Sequence, residues 1–227
     1  MSREGGFRAV WPWLLFAWLA LVIWAAFLWA PAAANFKGQS SRIVFFHVPM
    51  AWVATVAFLG SCIASIRYLR RRNMEDDIRA EAANSLGLTF AVLATVTGSI
   101  FAKIMWGSYW NWDPRETSIT FLLLIYAAYF ALRAAIPDPE RRATMAAVYS
   151  VLAFVTVPFL VFVVPRIYWS LHPDTFINTQ GKIKMDSRMF QVFMASLAGF
   201  SVFAGWLYSI EVRLERIRRR RQQEELL

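Results

Sequence analysis

A helix needs about 20 mainly apolar residues to cross the hydrocarbon core of a bilayer. Six stretches of this chain qualify: 11–30, 44–66, 86–105, 119–136, 145–165 and 189–210. No other feature restricts the fold as tightly. Inside hydrocarbon every backbone N–H and C=O must find a partner within its own segment or a closed sheet. The expected fold class is therefore all-α, a polytopic membrane protein with a six-transmembrane-helix bundle, and residues 1–227 read as a single membrane domain. Composition agrees. The chain is 58% hydrophobic and 17% charged, whereas soluble domains are about half apolar and about a quarter charged. Arg133 and Lys103 lie near the ends of the fourth and third stretches, where long side chains are expected to snorkel to the interface. Pro158 is expected to kink the fifth.

The formal charge is +9, which in a soluble protein would raise nucleic acid as a partner. No soluble basic domain exists here to carry such binding, so no nucleic acid is expected. The basic residues instead set topology. With the N-terminus inside, Lys and Arg favour the inner face about two to one, including Arg70 to Arg72, Arg141, Arg142 and the run 218–221. Both termini are then cytoplasmic. The charged tail after Ile210 continues the last helix into water. Ala32 and Ala34 could form a signal-peptidase site, but the apolar run before them is longer than a signal core, so a retained first helix is expected. Cys62, the only cysteine, cannot form an internal disulfide.

On this topology the outer face holds the segments 31–43, 106–118 and 166–188, and the chemistry concentrates there. The second reads Trp106-Gly107-Ser108-Tyr109-Trp110-Asn111-Trp112-Asp113-Pro114-Arg115-Glu116-Thr117. An aromatic belt at the headgroups is one reading of so many tryptophans. A short amphipathic shelf for a flat apolar ligand is the other. A helix running on to Pro114 would put Trp106, Trp110 and Asp113 on one face. Both histidines of the chain, His47 and His172, belong to the same compartment and flank this segment. Imidazole is a common axial ligand of haem iron, so two imidazoles over an aromatic shelf describe a haem site. Arg42, Arg115, Arg166, Lys182 and Lys184 are the cations in range for propionates. Asp113 or Glu116 would pair with Arg115. The chain has no phosphate-binding loop, no zinc spacing and no nucleophile arrangement, so no enzymatic activity is expected of it.

The 106–117 segment resembles the tryptophan-rich WWD motif, W-G-x-x-W-x-W-D, of the haem-handling proteins of cytochrome c maturation. The length, the six spans and one histidine on each side of the motif resemble the CcmC family, haem exporter protein C. Ser41-Arg42-Ile43-Val44-Phe45-Phe46-His47-Val48-Pro49 and Tyr168-Trp169-Ser170-Leu171-His172 are similar to that family's stretches around its two histidines. The resemblance implies haem b bound transiently as cargo on the periplasmic face of the bacterial inner membrane. It implies His47 and His172 as axial ligands, and Trp106, Gly107, Trp110, Trp112, Asp113 and Arg115 as the haem-binding platform. It implies handover to the haem chaperone CcmE, within an ABC-type complex with CcmA, CcmB and CcmD in which a partner hydrolyses ATP. Pro114-Arg115-Glu116-Thr117 departs toward the form found in the larger relatives CcmF and CcsA, haem lyases or their partners, which have more spans. Two other classes remain open on residues alone. One is a b-type cytochrome subunit for electron transfer, and the other is a transporter permease using the loops 67–85 and 137–144 to meet an ATPase.

Overall fold

A computed structural model describes residues 3–34, 36–172 and 185–224. The described residues form helices and loops with no strand. Helix α1 (Arg3–Trp24) runs into a π-helical turn, Ala25–Trp29. A 3-10 turn at Ser40–Ile43 leads into α2 (Val44–Arg71). Then come α3 (Met74–Trp106), α4 (Pro114–Ala135) and α5 (Pro139–Pro158). After α5 a π turn, Phe159–Val163, feeds the short α6 (Val164–Ile167), and α7 (Ser187–Glu224) ends the described chain. Among the described residues, six helical segments are long and apolar enough to cross a membrane. The chain is a multi-pass membrane protein.

Local chemistry explains the boundaries. Arg72 turns left-handed at φ 53° and ends α2; Asn73 then caps α3 by accepting from the Glu75 N–H at 3.0 Å. Glu75, Asp76 and Asp77 occupy the first turn, where the helix dipole favours negative charge. Asp138 caps α5 by accepting from the Arg141 N–H at 2.7 Å, with Pro139 at the first helical position. Pro158 has no N–H to donate, and the backbone relaxes into the π turn directly after it. The helix α7 runs well past Ile210, as its charged tail led us to expect.

Two expectations need correction here. The third helix begins at Met74 rather than near Leu86, so most of the 67–85 stretch is helix and not loop. Charge ended the apolar run, but it did not end the helix. Arg133 does not snorkel. It is 6% exposed and donates to Asp77 at 2.7 Å and to Glu81 at 2.5 Å. Arg219 of α7 joins the same carboxylates at 2.8 Å each. Lys103, by contrast, is exposed, and its Nζ reaches past the helix end to donate to the Gly107 carbonyl at 2.9 Å.

The core joins α2, α3, α4, α5 and α7 through Val53, Phe58, Phe90, Leu122, Tyr126, Val157 and Ala204. Small residues let the helices approach. Ser61 donates to the Ala80 carbonyl at 3.0 Å and meets Ser150 at 2.9 Å, while Asn84 donates to Ser150 at 3.2 Å. Gly199 leaves room for the Trp18 ring, which donates to the Ala195 carbonyl at 3.0 Å and fastens α1 to α7. The ion pairs gather the start of α3 with the ends of α4 and α7 at one end of the bundle. The opposite end gathers the start of α2, the end of α3, the start of α4 and the segment after α6. The two histidines lie at this second end.

Candidate functional site

The aromatic segment is not helical, contrary to the shelf that a continued α3 would form. Gly107 closes α3 in the left-handed region at φ +85°, where a side chain is strained. The segment then runs as an irregular loop pinned along its length. Ser99 Oγ donates to the Tyr109 carbonyl at 2.9 Å, and Ser108 Oγ to that of Trp110 at 2.8 Å. Glu116 Oε2 accepts from the Asn111 N–H at 2.6 Å and the Asp113 N–H at 3.3 Å. Asp113 is the N-cap of α4, so Glu116 completes a capping box with it. That gives Glu116 a backbone role in place of the expected pairing with Arg115.

Asp113 is the hub of the site. Its buried carboxylate accepts from the Arg115 N–H at 3.0 Å, the Leu171 N–H at 2.7 Å, Ser170 Oγ at 2.9 Å and His172 Nδ1 at 3.1 Å. Burial alone would raise its pKa. The two N–H groups and the Ser170 hydroxyl outweigh burial and hold the carboxyl below the usual range. Burial, with the positive charge of Arg115, pushes the His172 imidazole down to about 4, and the Asp113 carboxylate opposes that shift. The ring is therefore neutral at pH 7, and its contact with Asp113 is a hydrogen bond rather than an ion pair. The carboxylate can only accept, so Nδ1 carries the proton and Nε2 presents its lone pair. Trp106 meets this ring edge-on at 5.0 Å and is itself backed by Phe101 at 5.6 Å.

His47 is held in the same way from the other side. Its Nδ1 lies 3.1 Å from Thr97 Oγ1. With the Thr97 proton placed on the Leu93 or Ala94 carbonyl, at 2.9 and 3.0 Å, Oγ1 is free to accept from His47 Nδ1. Nε2 of His47 is again left as the lone-pair nitrogen. Gly98 permits this placement, because a Cβ there would lie 2.9 Å from His47 Cε1.

His47, His172, Trp110 and Arg115 line one cavity of about 190 Å³ between α2, α3, α4 and the α5–α6 segment. Its apolar wall includes Ala91, Ala94, Leu122 and Leu160. Trp106 and Asp113 stand behind His172 and orient it. Gly107 shapes the turn. Trp112 is 68% exposed, adopts φ +54°, and meets Trp110 edge-on at 6.0 Å. Of the cations in range, Arg115 alone among the described residues lines the cavity. Arg42 instead donates to the Ala26 and Ala30 carbonyls, and Arg166 to that of Phe162 at 2.6 Å. Lys182 and Lys184 lie outside the described residues. The reading from sequence missed Thr97, Gly98 and Ser170. A glycine within an apolar helix was the one signal available for any of them.

No group of three or more His, Cys, Asp or Glu side chains among the described residues could hold a bare ion, and a structural zinc site takes four ligands. Two imidazoles line this cavity, and imidazole is a common axial ligand of a metal whose other ligands come from its own macrocycle. The cavity is smaller than the roughly 300–1,000 Å³ of pockets that enclose a ligand. A large planar ligand would therefore be only partly covered.

Residues 6–227 match the family model described as CcmC, Heme exporter protein C. Relatives named Heme exporter protein C match over most of their length, and three of them serve as examples. That of Bradyrhizobium diazoefficiens is 33% identical over 92% of this chain and 80% of its own length. That of Rhodobacter capsulatus is 30% identical over 92% and 87%, and that of Escherichia coli K12 is 30% identical over 91% and 82%.

Proposed function

The chain belongs to the CcmC family, haem exporter protein C, and from that premise we propose that it binds haem b transiently, as cargo, and presents it for handover in cytochrome c maturation. His47 and His172 are the axial ligands through Nε2. Trp110 walls the bound macrocycle, Trp106 and Asp113 hold His172, and Arg115 meets a propionate. Trp112, edge-on to Trp110 and open to the surface, extends the platform toward a partner. The bilayer is the bacterial inner membrane, with the site on its periplasmic face and both termini cytoplasmic. The receiving partner is the chaperone CcmE, within a complex that includes CcmA, CcmB and CcmD and in which a partner hydrolyses ATP.

One observation carries this reading: both imidazoles of the chain line one cavity, each with Nδ1 engaged and Nε2 available. The limited cavity, and the exposure of Trp112 and Trp169 at 68% and 81%, favour a ligand held at the surface over one buried for electron transfer. The test is the visible spectrum of the protein purified in detergent after co-expression with its chaperone under ample haem. The wild type is expected to show a haem spectrum, and His47→Ala and His172→Ala each to weaken it. A wild type that stays free of haem overturns the reading.

A further inference from the structure

A second opening lies beside the histidine cavity. A groove of about 710 Å³ runs between α4 and the end of α5, lined by Phe121, Ile125, Val155, Pro158, Leu160 and Val163. Phe121, Val155, Phe159 and Val163 are exposed on the lipid-facing surface of these spans. Leu160 borders both spaces: it lines the groove on one side and the cavity of His47 and His172 on the other. Helix α4 divides its faces accordingly. Ile119 and Leu122 look into the cavity, and Phe121 and Ile125 into the groove. Leu160 is half-buried, as a side chain between two spaces should be.

The backbone under Leu160 departs from the regular α-helix of its span. Leu160 lies within the π turn Phe159–Val163, where the Val164 N–H reaches back five residues to the Phe159 carbonyl. Pro158 and Pro165 bracket the turn, and each removes a donor from the helical ladder. π turns inside α-helices are frequent at functional sites. A leucine on such a turn can swing aside with less loss of backbone bonding than one on an unbroken helix.

We propose that this groove is a lateral portal, through which a planar, largely apolar ligand dissolved in the adjoining leaflet reaches the His47–His172 cavity, with Leu160 as the movable partition. The ligand's identity rests on the haem reading above. The passage itself does not. A flat apolar ring travels this way without crossing water, and its charged edge can trail toward the headgroups and Arg115.

The test uses the full chain in lipid nanodiscs with Cys62→Ser, which removes the native thiol, and Ala51→Cys as a reporter on the cavity wall. The probes are a long-chain maleimide dissolved in the lipid and a charged maleimide added in water. Val155→Trp or Ile125→Trp, filling the groove from either helix, should slow labelling by the lipid-borne reagent roughly tenfold. Leu160→Ala should speed it. Val148→Trp, on the same helix but off the groove, should leave it unchanged. Labelling by the water-borne reagent should keep its wild-type rate in all four, which also reports an intact fold. Lipid-borne labelling that is as fast in the groove variants as in Val148→Trp overturns the portal, as does equal slowing of both reagents. Haem loading of the haem-free protein from haem-doped vesicles should follow the same order. A wild type that takes up no haem sinks the proposed function, while the labelling rates still decide the portal.

Discussion

Asp113 holds the ring of His172 and does not itself line the cavity. It fixes the proton on Nδ1 and, through the Leu171 N–H and Ser170, fixes the backbone that carries the ring. Groups that orient a metal-binding histidine in this way are worth about 10–100-fold in affinity. Asp113→Ala is therefore expected to weaken haem binding by about that factor, read by titrating haem into the detergent-purified protein. A second expectation concerns protonation. The unfolded chain takes a proton on histidine near pH 6.5, whereas folded His172 does so only near 4. Its contribution to stability is thus present above pH 6.5 and is lost as pH falls toward 4. Imidazole NMR of the haem-free protein should show His172 neutral at pH 5.5, when an exposed histidine is mostly charged. The residue types of the site were legible in the sequence, because two histidines beside a tryptophan-rich loop are rare enough to notice. Their supports were not. Thr97, Gly98 and Ser170 are ordinary residues until the fold brings them against a ring, and Arg42 and Arg166 find helix carbonyls nearer than any cavity.

At the scale of elements, the loop matters more than the helices around it. Glu116 ties the Asn111 and Asp113 N–H groups to the start of α4. Glu116→Ala leaves both donors without that acceptor and should cost about 1–2 kcal/mol. Because the same loop carries Trp110 and Asp113, haem affinity should fall with stability. Thermal unfolding in detergent measures the first and haem titration the second, and Glu116→Gln, which keeps an acceptor oxygen, should recover much of both. Spans could be read from apolar runs and the Pro158 break from a single residue. The end of α3 could not be read in that way. An aromatic segment is compatible with helix until Gly107 is seen in the left-handed region, and the capping pair Asp113 and Glu116 then needs an extended approach to α4.

Across the whole molecule, the end opposite the histidines is locked by charge. Arg133 of α4 and Arg219 of α7 share Asp77 and Glu81 of α3, and Arg216 pairs with Glu75. Hydropathy hid this lock. An arginine near the end of a span reads as a snorkelling side chain, and its partners lie in a stretch whose charge makes it read as a loop. Removing one member of a buried pair usually costs about 3–5 kcal/mol, because the other charge is left uncompensated in a medium that solvates it poorly. Arg219 would still reach Asp77 in Arg133→Met, so the loss should fall near the lower bound, about 3 kcal/mol. Adding Asp77→Asn removes the stranded charge and should return a large part of that loss. Denaturant unfolding of the two variants in mixed micelles gives both numbers. The haem spectrum adds the decisive comparison: the ion pairs and the histidines sit at opposite ends of the bundle, so Arg133→Met should lower stability with the spectrum unchanged. A spectrum that shifts with Arg133 would mean that the two ends are coupled, and that the lock does more than hold α3, α4 and α7 together.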